Sequence, residues 1–155
     1  DFALPFYKEA KYNGIVKNED TSKYSKILNQ YKLKNNISNK LVIMNCYEGD
    51  VYGNGVDGAI FEISDVYDQW GQALNSKVKS FAITNAIILV ENTAELDDYE
   101  VIWECVIKNP NPKNFVEVEK LRNISIADID DDSKVEIIAT HQIYENTKPI
   151  IIKIP

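Results

Sequence analysis

Residues 80–92, SFAITNAIILVEN, are apolar at odd and even positions alike. Successive side chains of a strand face opposite sides, so such a strand needs cover on both faces. The next apolar segment, YEVIWECVIK (99–108), alternates: Tyr99, Val101, Trp103, Cys105 and Ile107 point one way, and Glu100, Glu104 and Lys108 the other. A doubly covered strand followed by an alternating one defines a sheet with a buried centre. Further strands are expected at YNGIV (12–16), KLVIMNCY (40–47), AIFEI (59–63), FVEVEKL (115–121), ISIAD (124–128), KVEIIATHQIY (134–144) and KPIIIKI (148–154). NPNPKN (109–114) is a breaker loop.

Two short helices interrupt the strands in the N-terminal half. Asp20 or Thr21 can cap the first, which sets Tyr24, Ile27, Leu28 and Tyr31 on one face at i, i+3, i+4, i+7. Ser64 can cap the second, DVYDQWGQAL, with Val66, Trp70, Ala73 and Leu74 sharing a face. This order predicts a single α+β domain over residues 1–155, mainly antiparallel sheet with two short helices. With no linker or low-complexity tract, 155 residues suffice for one substantial core. Nine tyrosines and long Ile/Val runs favour sheet.

The formal charge of −7 argues against a nucleic-acid surface, which needs clustered Lys and Arg. No apolar run reaches the ~18 residues of a membrane-spanning helix. The chain opens on Asp1, which fits a processed or trimmed protein that has lost a signal peptide or lipoprotein leader.

Residues 125–140, SIADIDDDSKVEIIAT, crowd five carboxylates between two strands: Asp128, Asp130, Asp131, Asp132 and Glu136. Only Lys134 offers a countercharge within the stretch. Asp128, Asp130, Asp132 and Glu136 occupy positions 1, 3, 5 and 9, a spacing that converges on one point when the loop curls. Calcium, a hard cation taking six to eight oxygens, would relieve their repulsion. An EF-hand is excluded, because position 12 is Ala139 and the flanks are strands. The spacing resembles the calcium loop of FG-GAP (VCBS-type) repeats, Asp-x-Asp-x-Asp-Gly-x-x-Asp between two strands. That resemblance implies a structural Ca2+ held by Asp128, Asp130, Asp132 and Glu136. Ser133 replaces the usual Gly, which at roughly 1 kcal/mol for a left-handed turn implies weaker binding or a differently shaped loop. GDVYGNGVDGAIF (49–61) resembles such a loop at Asp50, Asn54 and Gly55, but Tyr52 and Gly58 stand at ligand positions. One short chain cannot supply a propeller of four or more blades, so the likeness extends to the loop alone. A solvated acidic turn that holds no ion is the alternative.

His141, the sole histidine, shares a strand face with Val135, Ile137, Ala139 and Ile143 and reads as a partly buried structural residue. No nucleophile elbow, phosphate loop, dinucleotide fingerprint or His-rich metal motif is present. Cys46 and Cys105 both face a core and are expected to form one disulfide, with two buried thiols as the alternative. The sequons at Asn36 and Asn123 carry little weight. Tyr47 and Tyr52 border the Gly-rich loop with Glu48, Asp50 and Asp57, a composition typical of recognition surfaces, with an ordinary long hairpin loop as the alternative.

These features fit a non-enzymatic, extracytoplasmic (periplasmic, secreted or surface-anchored) binding protein with a calcium-pinned hairpin and a basic protein partner. An inhibitor or toxin-neutralising, immunity-type protein is the sharper form. The rivals are a small hydrolase using Glu48, Asp50 and Asp57, and a structural domain of a larger surface protein.

Overall fold

The computed structural model describes residues 15–37, 41–64, 85–95, 98–107, 119–132, 134–143 and 146–155. Among these residues, eight strands run in chain order: β1 (Val16–Lys17), β2 (Val42–Gly49), β3 (Gly58–Ser64), β4 (Asn85–Asn92), β5 (Tyr99–Ile107), β6 (Lys120–Ala127), β7 (Glu136–Ile143) and β8 (Asn146–Lys153). A 3-10 turn (Ser22–Tyr24) leads into helix α1 (Ser25–Lys34) between β1 and β2. The strands form a five-stranded sheet, β1-β2-β3-β4-β5, and a three-stranded sheet, β6-β7-β8, with every pairing antiparallel.

The five-stranded sheet is the middle of three layers. Its Ala59, Phe61, Ile63, Ala86, Ile88 and Val90 meet Tyr24, Ile27, Leu28 and Tyr31 of the helical segment. From its other face, Ile60, Ile87 and Leu89 pack on Leu121, Ile124, Ile126, Ile137 and Ala139 of the three-stranded sheet. β3 and β4 are thus covered on both sides, as residues 85–92 require by being apolar at both parities. Gly58 opens β3 because a Cβ there would collide with the Val90 carbonyl oxygen.

The helical segment carries the expected face. Asp20 accepts hydrogen bonds from the Ser22 amide and hydroxyl (3.1 and 2.8 Å) and so starts the 3-10 turn. Tyr24, fully buried, meets the Phe61 and Tyr99 rings edge-on at 4.8 and 4.9 Å. The helix ends where Asn36 turns left-handed (φ 55°). The Ile37 amide then donates to the Lys32 carbonyl and the Asn36 amide to that of Leu33, which satisfies two terminal carbonyls.

Three expectations change. Ser64 is the buried last residue of β3, and the second helix it was expected to cap lies outside the described residues. Mostly antiparallel sheet with one short helix is what the described residues contain. The segments 115–121 and 124–128 do not form separate strands where described: β6 runs through Lys120–Ala127, and a bulge with Asn123 at φ 54° absorbs the irregularity.

The third change is the disulfide. Cys46 and Cys105 are both free thiols. Cys46 lies in the core beneath the helix, and Cys105 packs at the other face, against the three-stranded sheet. Their strands, β2 and β5, stand three spacings apart, roughly 14 Å, against the ~7 Å limit for bridged Cα atoms. Burial pushes the Cys46 thiol up to about 12, beyond the range in which a reactive thiolate forms. Thiol titration of the denatured, unreduced chain is expected to count two reactive groups; a count of zero would contradict this register.

Candidate metal centre

The acidic loop joins β6 to β7 at one end of the three-stranded sheet. Asp128 follows directly on β6, and Glu136 is the first residue of β7. Both are buried, at 4% and 3% exposure, while Asp130, Asp131 and Asp132 are exposed. Backbone amides curl the loop. Asp128 Oδ1 accepts from the Asp132 amide at 3.1 Å, Glu136 Oε2 from the Ile129 amide at 2.8 Å, and Asp132 Oδ1 from the Lys134 amide at 2.9 Å. Asp131, at φ 60°, takes the left-handed position, which an Asp tolerates better than most residues. The tight turn therefore sits at Asp131, two positions before the Ser133 that replaces the motif's glycine.

Carboxylate oxygens of Asp128, Asp130 and Glu136 lie within 4.8 Å of one another. Asp132, the fourth expected ligand, is outside that set; its side chain turns to the Lys134 amide and toward Lys153. Lys153 of β8 is a countercharge that local sequence does not reveal. Its Nζ sits 2.7 Å from Asp130 Oδ2 and 3.9 Å from Asp132 Oδ2. The β7–β8 register, which pairs Glu136 with Lys153, puts it there.

Lys153 satisfies the outer half of the cluster only. Glu136 Oε1 is buried and has no hydrogen-bond partner. Burial pushes the Glu136 carboxyl above its ordinary range; the Ile129 amide opposes this, and Asp130, Asp132 and Asp128 add to it. By contrast, the Lys153 ammonium holds Asp130 below the usual carboxylate range. A donor set made wholly of carboxylate oxygens, with one buried oxygen left over, fits a hard cation such as calcium.

The residues expected as a binding surface are mostly braces. Tyr47 is half-buried, and its hydroxyl donates to the Ile124 carbonyl at 3.2 Å, joining the two sheets. Tyr52, also half-buried, donates to the Pro155 carbonyl at 2.7 Å. Asp50 folds its own loop by accepting the Asn54 and Gly55 amides, each at 3.0 Å. Asp57 alone of the five is exposed.

Sequence reasoning missed Glu62, which is buried between the sheets. Its Oε1 accepts from Asn45 Nδ2 and from the Ile124 amide, both at 2.9 Å, and so satisfies the backbone freed by the β6 bulge. The alternation of AIFEI already faced Glu62 the same way as Ile60, toward a core. His141 is partly buried and meets Glu119, with Nε2 and Oε2 2.7 Å apart.

Glu48 lies on the helix side of β2. It accepts from the Tyr24 hydroxyl at 2.5 Å and Asn18 Nδ2 at 2.8 Å, and pairs with Lys23 at 3.2 Å. Burial raises its pKa, but the hydrogen bonds from Tyr24, Asn18 and Lys23 outweigh that and hold the carboxyl below its ordinary 4.5. A depressed carboxylate stabilises the fold above its unfolded pKa, and that stability is lost as pH falls through the folded value. Glu48→Gln is therefore expected to cost about 1–2 kcal/mol at neutral pH. Urea melts across a pH series should show the penalty shrinking below about pH 4; a constant penalty would assign it to packing.

Comparison of the chain with protein-family models, with curated proteins and with solved structures gave no match, so the reading of this centre rests on its own geometry.

Proposed function

We propose that this chain is a non-enzymatic, extracytoplasmic interaction protein that presents an acidic end to a basic protein partner, with calcium pinning the β6–β7 hairpin. One observation carries the reading: the acidic loops gather at one end of the layered fold. The Tyr52–Pro155 hydrogen bond ties the β2–β3 loop to the end of the chain just past β8. Lys153, two residues earlier, holds Asp130 of the β6–β7 loop. Asn54 Nδ2 donates to Glu91 Oε2, and the Asn92 amide to the Asp57 carbonyl, which brings in the β4–β5 connection with Glu95 and Asp98. Asp50, Asp57, Glu91, Glu95, Asp98 and Asp130–Asp132 thus share one end. Lys120, Arg122 and Lys148 lie toward the other end of the three-stranded sheet.

A concentrated negative end speeds encounter with a cationic protein and repels nucleic acid and anionic lipid. An inhibitor or immunity-type protein has this character. The hydrolase reading loses support, because hydrogen bonds already occupy both carboxylate oxygens of Glu48 and of Asp50. The compartment follows from the ion: a weak site, about 10⁻⁴ to 10⁻³ M, fills only where calcium is millimolar, as outside cells.

Two measurements test the proposal. Calcium at about 10 mM should raise the melting temperature of chelator-stripped protein by about 3–10 °C; an unchanged melt rejects the pinned hairpin. The association rate with a partner isolated by affinity capture should fall about tenfold or more between ~0.01 and ~0.15 M salt, and Asp57→Lys should slow it further at low salt. A rate insensitive to salt rejects the acidic end as a docking surface.

A further inference from the structure

We infer that Lys153 is a built-in competitor for the metal centre: its ammonium occupies the outer carboxylates and sets how much calcium is needed to load the loop. This deepens, and rests on, the reading of the loop as a calcium site.

The centre has two halves with different needs. In the inner half, Asp128 and Glu136 are buried, and Glu136 Oε1 meets no donor. Glu136 thus brings a buried, half-satisfied carboxylate to a cluster in which one of its oxygens lies within 4.8 Å of those of Asp128 and Asp130, and Lys153 makes no bond to it. In the outer half, Asp130 Oδ2 is taken by Lys153 Nζ at 2.7 Å. Asp130 belongs to both arrangements, since its carboxylate is also one of the three groups whose oxygens lie within 4.8 Å of each other.

An ion bridging Asp128, Asp130 and Glu136 must therefore share Asp130 with an ammonium or displace it. Sharing places a positive charge close to a divalent one. At about 5 Å in a water-like dielectric, that repulsion weakens binding by about tenfold. Displacement is open to Lys153, because its side chain is 64% exposed and its ammonium can turn into solvent once Asp130 is taken. Without the ion, the same lysine relieves the crowding of Asp130 and Asp132 and keeps the hairpin closed. The loop is thus latched by lysine at low calcium and by the ion at high calcium.

The test is calorimetric titration of the full chain with calcium chloride, with melting curves to verify that each variant folds. Lys153→Gln should bind calcium about tenfold more tightly than the unsubstituted protein, while Lys153→Arg, which keeps the charge, should bind as weakly as the original. Glu136→Gln should abolish binding in either background. Equal affinity of the unsubstituted and Lys153→Gln proteins overturns the competition and leaves the calcium site standing. Absence of binding in both, or binding that survives Glu136→Gln, overturns the calcium reading and the competition with it.

Discussion

The burial of β3 and β4 on both faces governs the rest of this structure. Ala59, Phe61 and Ile63 face the helix, Ile60 faces the second sheet, and the same division runs through 86–90. Two covering layers are needed to keep such strands from water, and α1 and the β6–β8 sheet provide them. Fully burying a side chain of this size contributes about 1.5–3 kcal/mol, so the central strands dominate the stability of the fold. They also leave the middle of the molecule little room for charge. Glu62, the carboxylate that lies there, is held by Asn45 and a backbone amide. Among the described residues, the exposed acidic side chains lie at the edges and ends of the sheets, where the loops are.

That placement links the fold to the proposed role. Antiparallel hairpins return each chain segment to the end it left, so the β2–β3 and β4–β5 loops share one end of the five-stranded sheet. The packing of the second sheet brings the β6–β7 loop alongside them, and the hydrogen bond from Tyr52 to Pro155 fastens the two. Tyr47, tied to the Ile124 carbonyl, fastens the sheets nearby. The tyrosines that flank the Gly-rich loop thus serve the acidic end by positioning it, and the exposed acids supply its charge.

How far the fold was legible depended on whether a feature is local. Residues 85–92 announce a doubly buried strand by themselves, and Tyr24, Ile27, Leu28 and Tyr31 announce a helix face by spacing alone. Alternation also showed that Cys46 and Cys105 point inward. It did not show into which core, and a sheet covered on both sides has two; this is why the disulfide inference failed. The bulge at Asn123 was illegible because an extra residue shifts the pattern without any Gly or Pro to mark it. Lys153 lies 23 residues from Asp130 and enters the centre only through the β7–β8 register. Of the four residues picked out by spacing, Asp128, Asp130 and Glu136 bring oxygens within 4.8 Å of one another, while Asp132 turns to the Lys134 amide, a bond that spacing does not reveal.

The tolerance of five carboxylates at a strand junction then has a graded physical answer. Exposed Asp131 and Asp132 sit where water screens them, so their mutual repulsion is small. Asp130 is neutralised by an ammonium at hydrogen-bond distance, and Asp128 is stitched to a loop amide. Glu136 alone is both buried and half-satisfied: one oxygen takes the Ile129 amide and the other takes nothing. Replacing it with an apolar residue would remove the desolvation cost and also the bond that closes the loop on Ile129. A carboxylate placed there is costly to bury, and the proposed cation would offset that cost by binding it together with Asp128 and Asp130. Within the acidic loop, the unmet demand therefore falls on the Glu136 carboxylate.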